Sequence, residues 1–381
     1  MSLTSWAVRV LAAAAMTCAA ALTQGPALAW SGGPGPGVPA GFAASSVTWL
    51  SAQRGWVLGA APCGRHTCSD VAGTTDAART WRVVGSVPAP IAPLGGAQPG
   101  VAEIRFATAA VGWAFGPDLF RTATGGRSWA RVPIPGGGKQ VLALAASPTQ
   151  TYAVVSACAL GTGLCPRPLS LWRIRTGASG GWARIPVTLP ANGHAGVAAL
   201  GTTVYVVDTQ LPSGGRPDAF YASTDGRHFA ARPVPCAHAK DLALVQAVPM
   251  SATRVALLCV GNFGYPGPAD ATKSVYISAN TGMTDRYAGT TGPVGLEAQL
   301  AASPSGNLAV AAVSGGSFLY INDTHRRAWT LVKGLSPAPW NDLAYVTNRQ
   351  AWVIYGPASA GDAGQLWVTR DAGLHWTVAK L

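Results

Sequence analysis

Three observations predict an all-β chain of seven repeated units, each made of four antiparallel strands. The first is a turn that keeps returning. Thr369-Arg370-Asp371-Ala372-Gly373-Leu374-His375-Trp376 reads T-x-D-A-G-x-x-W. Looser copies end at Trp81 (with Thr74 and Asp76), Trp129 (Thr122, Gly125, Gly126), Trp182, Phe229 (Ser223, Asp225, Gly226), Tyr287 (Ser278, Gly282) and Trp329. Successive terminal aromatics lie 48, 53, 47, 58, 42 and 47 residues apart, a spacing that marks stacked supersecondary units. The second is composition. With 47 Gly and 29 Pro against 5 Lys and 2 Glu, the chain favours short strands and turns over helices. The third is physical: one four-stranded unit cannot cover both of its faces, whereas seven arranged radially cover one another. The expected fold is a seven-bladed β-propeller.

Residues 1–29 read as a secretory signal peptide. Arg9 precedes an apolar run over 10–22, and Ala27-Leu28-Ala29 offers a small-residue cleavage site before Trp30. That run is too short to span a bilayer. Cys18 follows Ala15-Met16-Thr17, a poor lipidation site. Residues 30–41 read as a flexible Gly/Pro lead-in. The propeller then occupies 42–381, with units at 47–87, 101–132, 140–187, 196–235, 242–290, 296–333 and 342–380. Unit two is the clearest, with strands expected over 101–107, 113–115, 118–122 and 129–132. Second strands carry Trp56, Trp113, Tyr152, Tyr205, Val255, Leu308 and Trp352, expected as core rather than as a sugar-stacking platform. In the recurring turn, Ser/Thr and Asp oxygens can accept from their own backbone N–H groups. Gly supplies a positive φ.

These residues resemble the Asp-box (BNR) repeat families. The chain is most similar to seven-bladed propellers of the photosystem II assembly-factor type, whose G-W second strand and D-G-G-x-x-W turn look like Gly112-Trp113 and the turns ending at Trp81, Trp129 and Trp376. Relatives of this kind are often labelled sialidase-like. The resemblance covers about 42–381 and implies a blade architecture, not a reaction. A sialidase would imply an arginine triad, an acid Asp and a Tyr paired with Glu. Arg184-Ile185-Pro186 matches a short sialidase motif, but it follows Trp182 inside the third unit. Only Glu103 and Glu297 are present as Glu, few for a reaction that needs facing carboxyls or a Tyr–Glu substitute. Gly177-Ala178-Ser179-Gly180-Gly181 spells G-x-S-x-G between two strands, where a nucleophile elbow would need a following helix. The leading expectation is an exported non-catalytic binding or assembly protein. The alternative is a carbohydrate-active enzyme of exo-alpha-sialidase type.

Glu103 and Arg105 lie two apart on a first strand, hence on one side of it. Glu297 and Gln299 are read as holding the same places in unit six. First strands line a propeller's channel, so these four, with Trp340, are the candidate binding residues. The competing reading is a structural ion pair between blades. No catalytic residue, cofactor or metal is expected: His66, His194, His228, His238, His325 and His375 are scattered, without ligand spacing.

The chain after residue 29 has six cysteines, an even number suited to an oxidising compartment. Local spacing pairs Cys63–Cys68, Cys158–Cys165 and Cys236–Cys259, all on the end where the second-to-third-strand loops and between-blade connections emerge. The formal charge of +12 comes from 27 Lys+Arg against 15 Asp+Glu. Arg54, Arg79, Arg127, Arg227, Arg286, Arg326, Arg327, Arg349 and Arg370 gather at the opposite, short-turn end. The expected partners are a protein or glycan at the loop end and an anionic envelope surface at the turn end. Neither nucleic acid nor a membrane span is expected, and the chain is read as a monomer.

Overall fold

The computed structural model describes residues 37–92, 98–159, 165–210, 217–238, 242–261, 272–292, 297–313, 315–322, 328–356 and 364–381. The signal-peptide reading lies outside them. Seven four-stranded antiparallel sheets follow one another along the chain, at 43–87, 103–131, 140–189, 193–232, 242–290, 297–335 and 340–378. In every sheet the strands sit side by side in chain order. The protein is a seven-bladed β-propeller.

Burial falls from the inside outward. In blade 2 the first strand Glu103–Phe106 is buried throughout, while the fourth, Ala130–Arg131, is exposed. The second-strand aromatics are core: Trp113, Tyr152, Tyr205 and Trp352 are fully buried. They join neighbouring blades. Trp56 of blade 1 stacks on Phe106 of blade 2 at 4.0 Å, and Trp352 of blade 7 stacks on Trp49 of blade 1 at 4.1 Å. Such rings bury large apolar areas and gain further from aromatic packing.

Among the described residues no strand is exchanged to close the ring, because each blade is a contiguous segment. Blade 1 packs on blade 7 through one cluster that includes Val47, Trp49, Trp81, Trp352, Ile354 and Val368. The Ala44 N–H donates to the Gly364 carbonyl at 2.9 Å. Gly37 bridges Arg82 on the outer strand of blade 1, and Val38 packs on the closing cluster.

The recurring turn has one geometry in several blades. Thr74, Thr122, Ser278 and Thr369 each accept a bond at their hydroxyl from the N–H four residues on, at 2.9–3.1 Å. A second side chain closes the loop: Asp76 accepts from the Thr80 N–H, Thr124 from Ser128, Asn280 from Thr284 and Asp371 from His375. The glycine does more than permit a positive φ. Gly226 of blade 4 has φ +68°, and a Cβ there would stand 1.9 Å from the Tyr152 hydroxyl of blade 3. Gly373 of blade 7 likewise presses on Ile321 of blade 6. The turn is therefore also a blade-to-blade contact. In blade 1, Ala78 takes the glycine position at φ +63° and joins the ring-closing cluster.

Candidate functional site

Three blades converge on one guanidinium. Arg105, on the first strand of blade 2, is 2% exposed. Its Nη2 stands 2.7 Å from Glu103 Oε2 and 2.7 Å from Asp342 Oδ1 of blade 7. Nη1 donates to the Ile104 carbonyl at 2.7 Å and to Ser46 Oγ of blade 1 at 3.2 Å. Ser46 Oγ donates onward to Asp342 Oδ2 at 2.6 Å. Burial works against the Arg105 charge, but Asp342 and then Glu103 more than offset it, holding the guanidinium above its ordinary value. Both carboxylates are thus engaged on a fixed cation. Asp342 was not anticipated from sequence. It sits in a bulge of the first strand of blade 7 with φ +53°, a region Asp tolerates better than most residues.

Strand register explains the arrangement. Three residues before the pair that closes each first hairpin stand Ser46, Glu103, Gln246, Gln299 and Asp342. Four of these side chains accept from a backbone N–H one position on in the next blade. Ser46 takes Ile104, Gln246 takes Leu300, Gln299 takes Leu343 and Asp342 takes Val47, at 2.7–3.1 Å. This corrects the sequence alignment of the candidate pairs. Gln299 corresponds to Glu103, and the counterpart of Arg105 is Ala301. Gln299 also donates Nε2 to the Trp340 carbonyl. Glu297 stands at the half-buried start of its strand. The Trp340 indole is 4% exposed and packs on Tyr355 at 5.0 Å, so its face cannot receive a sugar.

In blades 3 and 4, register against Tyr152 and Tyr205 places Ala143 and Gly196 at this position. Where Gly196 supplies no side chain, a cavity of about 10 Å³ remains between blades 4 and 5, lined by Tyr205, Val207, Val245 and Gln246 among others. That is room for one water at most.

The loop end carries all three expected disulfides, Cys63–Cys68, Cys158–Cys165 and Cys236–Cys259. The same end buries polar groups in blades 4 and 5. Asp208 is fully buried, with Oδ2 accepting from Gln210 at 2.7 Å and Oδ1 unpartnered. Burial raises its carboxyl to about 7, Gln210 opposes this, and Asp218 adds to it. Asp218 ties the blades together by accepting from the Gln210 and Leu244 N–H groups at 2.8 and 2.6 Å. Lys273 is fully buried, which lowers its amine to about 7. Among the described residues no group of three or more His, Cys, Asp and Glu side chains could hold a metal, and no helix is long and apolar enough to cross a membrane.

At the turn end Arg79, Arg127, Arg175, Arg227, Arg286, Arg349 and Arg370 are exposed. Asp76, Asp225 and Asp371 spend their oxygens inside their own turns. Among the described residues none of these arginines is ion-paired. Asp323, Arg326 and Arg327 lie outside the described residues.

No family model matches the chain, and no curated protein matches it. Solved structures do. YCF48 bound to D1 peptide is 13% identical, with a TM-score of 0.53, over 88% of this chain and 95% of that one. The Saccharomyces cerevisiae Sqt1 structure is 12% identical with a TM-score of 0.50, over 90% and 96%. A Mycobacterium tuberculosis puromycin-hydrolyzing peptidase is 11% identical with a TM-score of 0.56, over 89% of this chain but 52% of its own. At these identities the likeness is one of fold.

Proposed function

We propose that this is an exported, non-catalytic propeller of Asp-box type that holds a protein or glycan partner on its disulfide-braced loop end. One observation carries the reading: the channel cluster a hydrolase would use is consumed as structure. Glu103 and Asp342 both bind Arg105, and Asp342 also accepts from Ser46 and the Val47 N–H. Neither carboxyl is left to act as nucleophile or acid on a sugar. Loops held on a rigid ring suit recognition, and a propeller of like fold has been solved with a peptide bound. The three disulfides fit an oxidising compartment, and cleavage after Ala29 would leave Trp30 as the first residue.

The test is capture of envelope material by the mature chain, side by side with a variant in which Cys63, Cys68, Cys158 and Cys165 are all Ser. The account expects the parent to retain a partner that the loop variant loses, and N-terminal sequencing of the secreted form to begin at Trp30. Equal capture by both proteins would remove the loop end from the proposal. Release of product from a fluorogenic sialoside would favour the sialidase alternative.

A further inference from the structure

The residue after the glycine position of the recurring turn changes character around the ring. It is Arg79, Arg127 and Arg227 in blades 1, 2 and 4, but Met283 in blade 5 and Leu374 in blade 7. Both apolar residues are 59% exposed. Among the described residues the other large exposed apolar side chains are Tyr287, Leu331 and Val378. All five belong to the consecutive blades 5, 6 and 7. A single exposed Leu is ordinary, but here the turn tips of blades 5 and 7 carry an exposed apolar residue where blades 1, 2 and 4 carry Arg. Cations flank the tips. Arg286 follows Met283 within its turn, and the Arg349 carbonyl accepts from the Ala372 N–H at 2.8 Å beside Leu374, whereas Arg370 donates Nη2 to the Ala77 carbonyl of blade 1 at 3.0 Å.

We propose that the turns of blades 5 and 7 dock on an anionic lipid bilayer. Met283 and Leu374 enter the headgroup region, Tyr287 sits at its boundary, and the arginines meet lipid phosphates. The proposal rests on the turn end being the protein's anion-facing surface. A bilayer is favoured over a folded protein because the apolar groups protrude singly on separate turns. A fluid interface receives protruding groups without shape complementarity, whereas a protein partner would need a matching pocket for each. Apolar insertion and arginine–headgroup attraction then act together, as in interfacial anchors.

The test is co-sedimentation with vesicles of phosphatidylglycerol and phosphatidylcholine, against pure phosphatidylcholine, at physiological salt. A heparin column serves as a soluble polyanion control. The parent should bind only the anionic vesicles. The Met283→Ser/Leu374→Ser variant should lose about tenfold or more in vesicle partitioning, with unchanged heparin retention and an unchanged melting curve. Arg286→Gln/Arg349→Gln should weaken both, by about fivefold per arginine on vesicles. Vesicle binding by the apolar-tip variant equal to the parent's would overturn insertion. Heparin retention without vesicle binding would overturn the bilayer while sparing the anion-facing reading, and loss of both would end the two together.

Discussion

Arg105 keeps its charge where no water reaches it, so its partners determine whether blades 7, 1 and 2 hold together. Removing one partner of a buried pair leaves the other charge uncompensated, which costs about 3–5 kcal/mol. Asp342→Ala should therefore destabilise by about 3 kcal/mol in denaturant titrations, whereas Arg79→Ala, on an exposed turn, should cost far less. Comparable losses would show that the cluster does not hold the seam. Asp208 gives a pH signature. Its carboxyl lies at about 7 in the folded protein against a reference of 3.8, so the folded chain binds the proton more strongly than the unfolded one. Stability from this group is full below about 4 and is lost as pH rises toward 7. Asp208→Asn should thus gain melting temperature relative to the parent as pH goes from 5 to 8. A gap that does not vary with pH would mean the buried carboxyl does not titrate there.

Among the elements, the recurring turn is the one most exposed to a single methyl group. Gly226→Ala sets a Cβ against the Tyr152 hydroxyl in a left-handed conformation, and overpacking of this kind costs about 2 kcal/mol. Tyr152→Phe removes the clashing oxygen, so a double-mutant cycle should show partial rescue. Strict additivity would place the cost in φ alone. The loops divide in the same physical way. Cys236–Cys259 spans 23 residues and Cys63–Cys68 only 5. Chain entropy assigns the first about 3 kcal/mol and the second about 2, so Cys236→Ser/Cys259→Ser should lower the melting temperature more than Cys63→Ser/Cys68→Ser. These turns and disulfides were legible in the sequence because their chemistry is local. A hydroxyl, an Asp and a glycine lie within five residues, and the paired cysteines are close along the chain. The Asp342–Arg105 pairing joins residues 237 apart and depends on a bulge. The correspondence of Gln299 with Glu103 depends on register. Neither has a local signature.

For the molecule as a whole, the division is between inner-strand polar links that join blades 5, 6, 7, 1 and 2 and the two ends of the ring. The strand count, the blade order and the buried second-strand aromatics followed from periodicity. Closure did not, because packing of Trp49 on Trp352 leaves no mark in the repeat. The central claim is that the Glu103–Arg105–Asp342 cluster is a clamp and not a reaction centre. The most direct test follows fluorogenic sialoside turnover and thermal unfolding together in the parent, Glu103→Gln and Asp342→Asn. The account predicts no turnover above blank in any of the three, with lowered melting temperatures in both variants. Turnover by the parent that either change abolishes, at an unaltered melting temperature, would contradict it.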